Sequence, residues 1–152
     1  MPKILRLLMN KDNFTTQHLR NTEAYNDTIF FFKKKGDLST CLEYFEQMER
    51  ESIKRNTKTY NLILRLISDI QLKGLYTMPA IERFLPLLKT MKTKKVYADI
   101  HTWGLAYSIL FDNHSKQHFL QTMKECKLPA SKNLITHLIK ENYQKNDVFQ
   151  II

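Results

Sequence analysis

Three features of this 152-residue sequence predict an all-α fold built from stacked helical repeats. Three glycines and four prolines are too few for the tight turns of an all-β fold. Leu, Lys, Ile, Glu and Met are plentiful, a composition that favours helices. Tyr25 and Tyr60 stand 35 residues apart, each followed by asparagine, with two helix-length apolar patterns between them. A fixed period of that size marks supersecondary units that stack to share one core. With 43% apolar residues the chain can build such a core, so a single domain over 1–152 is expected.

Residues 1–21 form the N-terminal helix and cap of this scheme. The start, MPKILRLLMN, is basic and apolar. It reads either as the amphipathic beginning of an organelle transit peptide or as an ordinary helix ending near Asn10, and the nearby Asp12 and absence of serine favour the helix. The first repeat covers 22–56. Tyr25, Ile29 and Phe32 mark one helical face, and Gly36-Asp37 ends that helix and caps the next. Leu38, Cys41, Leu42, Phe45 and Met48 then recur at three and four, as an amphipathic helix requires. Ser52 to Asn56 form the link.

The second repeat, 57–99, places Tyr60, Asn61 and Leu64 where the first has Tyr25, Asn26 and Ile29. It carries an inserted loop near 72–79, with Gly74 and Pro79 suited to a turn and a helix start. Pro86 kinks its second helix or marks that helix's true start. The third repeat, 100–131, is shorter around Asn113 to Lys116. Met48, Met91 and Met123 are each followed five residues on by an aliphatic residue, Ile53, Val96 and Leu128, so one register runs through all three. In a partial fourth unit, 132–152, Lys145-Asn146-Asp147-Val148 aligns with Lys35-Gly36-Asp37-Leu38. Val148, Phe149, Ile151 and Ile152 make a poor polar cap, so the expectation is a fragment of a longer array or an end completed by a partner surface.

Twenty-four Lys and Arg against fifteen Asp and Glu give a net charge of +9, which points to a polyanion partner, nucleic acid or an anionic membrane surface. No apolar run approaches the ~20 residues of a membrane-spanning helix. Cys41 and Cys126 lack a CxxC or CxxH neighbourhood and read as free thiols in a reducing compartment. His114 and His118 share a helical face, but no nearby acid or cysteine completes a metal site; the other histidines, His18, His101 and His137, are scattered. Neither a nucleophile-base arrangement nor a glycine-rich phosphate loop can be assembled, so no enzyme and no cofactor is expected.

From Thr22 to Asn56 the chain resembles a pentatricopeptide repeat without a gap, through Tyr25-Asn26, Ile29, Lys33 to Lys35, Gly36-Asp37-Leu38, Leu42, Phe45, Met48, Ile53 and Asn56. Tyr60-Asn61, Leu64, Met91, Val96 and Asp99 repeat the match at both ends of the second unit. The resemblance implies a right-handed α-solenoid of about three units plus a partial fourth, whose first helices line a groove for single-stranded RNA, one base per repeat. Carried over residue by residue, it implies the reading pairs Asn26 with Asn56, Asn61 with Asp99, and Gly104 with Ser131, the last lacking a side chain to read with. Asn with Asn resembles the family's pyrimidine reader, and Asn with Asp its uridine reader. Where the family places an aliphatic wedge, this chain has Glu23, Lys58 and His101. Lys58 is suited to a base or phosphate, whereas Glu23 repels the backbone. Lys33, Lys34 and Lys35 end a first helix, either as a phosphate contact or as a solvated terminus favoured by the helix dipole. Lys89, Lys92, Lys94 and Lys95 fall on a second helix and its exit.

The implied function is an RNA-binding adaptor in the mitochondrial matrix, acting on mRNA or rRNA in stability, processing or translation. The alternative is a protein-binding helical-repeat scaffold, for instance a component on a mitochondrial ribosome.

Overall fold

The computed structural model describes residues 2–74, 79–130, 132, 134–136 and 138–140. These residues form helices joined by short links, and no strand occurs among them. The chain is all-α. It divides into two compact units, Met1–Tyr97 and Ala98–Ile152.

The first unit contains α1 (Pro2–Leu8), a 3-10 turn (Phe14–Leu19), α2 (Thr22–Lys34), α3 (Leu38–Arg50), α4 (Thr57–Leu72) and α5 (Ala80–Thr93). Local chemistry sets the boundaries. Asn21 accepts a hydrogen bond from the Ala24 amide and opens α2. Gly36, at φ 72°, turns the chain, the Asp37 amide donates back to the Phe32 carbonyl at 3.0 Å, and the Asp37 carboxylate accepts from Thr40 to open α3. Those bonds from Thr40 hold the Asp37 carboxyl below the usual carboxylate range. The helix α5 runs through Pro86, which therefore neither starts nor ends it.

The methionine register has a geometric cause. At the end of α3 the Ile53 amide donates to the Met48 carbonyl at 2.8 Å, with Ser52 left-handed at φ 57°. At the end of α5 Val96 and Met91 do the same at 2.8 Å around Lys95 at φ 56°. Each is a Schellman closure, in which the aliphatic residue packs back on the residue five before it.

Within this unit α2 packs on α3 and α4 on α5, and α4 also touches α2 and α3. Tyr25, Ile29 and Phe32 of α2 meet Cys41, Tyr44 and Met48 of α3 in the core, and Tyr60, Ile63, Leu64, Phe84 and Met91 continue it through α4 and α5. Each of the buried Ile, Leu, Phe and Met side chains among them contributes about 1.5–3 kcal/mol. Tyr44 stacks on Phe32 with ring centroids 5.8 Å apart, and Phe45 meets Tyr60 edge-on at 5.6 Å.

The second unit contains α6 (Ile100–Ser108), α7 (Asn113–Glu125) and further helical residues between 132 and 140. Asp99 caps α6, Asp112 caps α7, and Leu128 closes on Met123 at 2.9 Å around left-handed Lys127. Among its described residues Tyr107, Met123 and Leu134 form a core with Trp103, Phe119, Leu120, Leu128 and Leu138 against them, and Leu105, Ala106 and Ile109 are buried as well. Residues 75–78 of the expected inserted loop, Ser131, His137 and 141–152, with Val148, Phe149, Ile151 and Ile152 of the expected fourth unit, lie outside the described residues.

Candidate functional site

The start of α4 brings the first implied reading pair together. Asn56 is the N-cap of this helix, accepting from the Thr59 amide at 3.0 Å, while the Thr59 hydroxyl lies 3.2 Å from the Asn56 amide. This reciprocal capping box fixes the Asn56 side chain. Asn26, one helix away on α2, donates from Nδ2 to Asn56 Oδ1 at 3.2 Å, and its own Oδ1 accepts from the Thr59 hydroxyl at 2.6 Å. Asn26 is 0% exposed. Its amide is committed to the α2–α4 contact, because an asparagine buried between two helices has to satisfy both polar ends there. Asn56 is partly exposed, and its Nδ2 reaches outward to Glu23 at 3.5 Å.

The surrounding charges balance locally. Lys58 Nζ lies 3.3 Å from Glu23 and 3.9 Å from Asp27. Two carboxylates thus flank one ammonium at this edge. Lys33 pairs across to Asp69 of α4 at 3.6 Å, whereas Lys34 and Lys35 are exposed and lie over the rings of Phe30 and Phe31, 4.8 and 5.9 Å from their centroids. Asn61 follows Tyr60 on α4 and is half-buried. Asp99 belongs to the second unit, where it accepts from the amides of His101 and Thr102 at 3.0 and 2.9 Å and forms a capping box with Thr102. Asn21, Asn56 and Asp99 therefore hold one structural office, the cap of each first helix.

Sequence reasoning missed Thr59 and Thr102, although their spacing three residues after Asn56 and Asp99 is the capping-box signature. It also missed a buried polar network. The Arg20 side chain, 2% exposed, places Nε 3.1 Å from both Glu51 carboxylate oxygens and donates from Nη1 to the carbonyls of Asn10 and Asn13 at 3.0 and 2.9 Å. The Tyr25 hydroxyl donates to Glu51 at 2.8 Å, and Gln47 donates to the Tyr25 oxygen at 2.7 Å and to the Met9 carbonyl at 2.8 Å. Burial, reinforced by the hydrogen bond to Glu51, raises the Tyr25 pKa. No group of three or more His, Cys, Asp or Glu able to hold a metal occurs among the described residues, and none of their helices is long and apolar enough to cross a membrane.

No family model matches the chain. Two curated relatives do align along nearly all of it. One is ATPase expression protein 3 of Candida glabrata, 32% identical over 143 residues, which are 93% of this chain and 23% of that protein. The other is ATPase expression protein 3 of Eremothecium gossypii, 33% identical over 141 residues, 92% of this chain and 26% of that protein. This chain is similar to part of each. It spans about a quarter of the length of these relatives.

Proposed function

We propose that the chain is an RNA-binding segment of a helical-repeat adaptor that serves expression of an ATPase in the mitochondrial matrix, by holding single-stranded mRNA or rRNA rather than by catalysis. Its helical hairpins stack as a right-handed α-solenoid of the pentatricopeptide kind. The observation that carries this reading is the Asn26–Asn56 contact at 3.2 Å, which joins the first pair of positions where the resembled family reads a base. The buried amide of Asn26 gives it a positioning role, and the partly exposed Asn56 amide is the group that meets a base edge. The net charge of +9 and the name of the relatives agree with a polyanionic partner and a role in expression.

Asn56→Asp tests the reading without removing the cap, since aspartate also accepts from Thr59. Fluorescence anisotropy with labelled oligonucleotides should show uridine-rich RNA bound more tightly than a random DNA strand. The variant should shift the preference between cytidine and uridine by several-fold, within the ~1–3 kcal/mol of a base-edge contact. Equal binding of RNA and DNA by the wild type, with no change in base preference in the variant, sinks base reading.

One observation favours a second reading. The Glu23, Asp27 and Lys58 edge carries more acid than base, which suits a basic helix or peptide better than a phosphate backbone. On that reading the chain is a protein-binding scaffold, for example against a ribosomal protein.

A further inference from the structure

The two hairpins of the first unit treat one position in opposite ways. In the first, Arg20, Glu51, Tyr25 and Gln47 close a neutral network around the carbonyls of Met9, Asn10 and Asn13. In the repeat register Arg55 takes the place of Arg20, Tyr60 of Tyr25 and Lys94 of Glu51, and Glu51 and Lys94 are the C-caps of α3 and α5. A cation has replaced the acid. Arg55 turns instead over the Phe45 ring, 3.8 Å from its centroid, donates twice to the Phe45 carbonyl and reaches Glu49 at 3.1 Å. Lys94 Nζ also rests on Glu49, at 2.7 Å.

Where the first hairpin has its closed network, the second has a cleft of about 320 Å³, lined by Glu49, Ser52, Lys54, Arg55, Tyr60 and Lys94 among others. Three cations face one carboxylate. Glu49 stays ionised, its pKa lowered by the hydrogen bond from Lys94 and by the charge of Arg55. Tyr60 is 1% exposed, and its hydroxyl has no hydrogen-bond partner among the described residues, whereas the Tyr25 hydroxyl is bonded to Glu51 and Gln47. The cleft thus keeps a cationic rim and an unused hydroxyl where its counterpart holds a carboxylate.

We propose that this cleft binds a phosphate of the RNA backbone, whose oxygens take the place that the Glu51 carboxylate holds in the first hairpin. Lys54 and Lys94 supply the charge and Tyr60 a hydrogen bond. The inference rests on the RNA-binding reading and removes its main electrostatic difficulty. Phosphates gain nothing at the acid-flanked Lys58, but they meet a net positive charge between the α3–α4 link and the exit of α5.

The test is a salt titration of the full chain with labelled uridine-rich RNA. It compares wild type with Lys54→Gln combined with Lys94→Glu, the latter restoring the acid of the first hairpin, and with Lys73→Gln as an exposed control. Tyr60→Phe, which keeps the ring against Phe45, reports on the hydroxyl alone. Thermal melting by circular dichroism confirms that each variant folds. The double variant should weaken binding about tenfold or more, Tyr60→Phe should weaken it several-fold, and the slope of log affinity against log salt should fall by about 0.7 for each phosphate the variant no longer neutralises. Lys73→Gln should change affinity less than about twofold. RNA binding with unchanged affinity and slope in a folded double variant overturns the cleft and leaves the RNA reading standing. Absence of RNA binding by wild type at low salt overturns both, and cleft-dependent capture of a labelled polyglutamate peptide in its place would assign the site to an acidic protein.

Discussion

Arg20 shows what one buried cation demands of its surroundings. Its side chain is 2% exposed and meets Glu51 through Nε, with backbone carbonyls of the N-terminal segment taking further donors. Taking a charge out of water costs several kcal/mol, and only this complete set of partners offsets it. The pair is therefore asymmetric: it adds little as a unit, but losing one member leaves the other stranded. Glu51→Ala is expected to destabilise the chain by roughly 3–5 kcal/mol, because it strands Arg20 and removes the acceptor of the buried Tyr25 hydroxyl together. Urea unfolding followed by far-UV circular dichroism measures this. A loss below about 1 kcal/mol would mean that water reaches the guanidinium and that the network is not what ties residues 9–20 to α2 and α3.

At the scale of the element, the helix ends carry most of what the sequence could tell. Gly36-Asp37 and the Met-to-aliphatic spacing were readable because caps are built from residues within six positions of one another, where chain order and geometry coincide. Pro86 left two alternatives open, a kinked helix or a helix start, because a proline favours a boundary locally; Phe84 and Met91, buried on either side of it, hold α5 together and exclude the start. The burial of Asn26 was not legible, since it depends on Thr59, 33 residues away, and the Arg20–Glu51 and Tyr25–Glu51 pairs span 31 and 26 residues. Polar residues at such separations carry no periodic signal. The caps lead to a direct expectation. Ser52 holds φ 57°, a conformation that costs an L-residue roughly 1 kcal/mol and glycine almost nothing. Ser52→Gly should therefore raise stability by about 0.5–1 kcal/mol, seen as a higher urea midpoint with an unchanged m value, and a lower midpoint would show that chain entropy outweighs the relieved strain.

Across the whole molecule the two units are unequal in what holds them. The first buries aromatic and aliphatic side chains from four helices, α2 to α5, and adds the Arg20 network. Among the described residues the second buries fewer, Leu105, Ala106, Tyr107, Ile109, Met123 and Leu134, with a partly buried rim. Stability follows buried apolar area, so the smaller core should yield first. The sequence supplies a reporter for this, because its single tryptophan, Trp103, lies on that rim in the second unit, while most of the described helix lies in the first. In urea, Trp103 fluorescence should therefore change at a lower midpoint than far-UV circular dichroism at 222 nm, a wavelength chosen because it weights all helices alike. Non-coincident transitions are the mark of units that unfold separately. If the two curves superimpose, the chain is one cooperative block, and the division at Tyr97–Ala98 describes its packing but not its energetics.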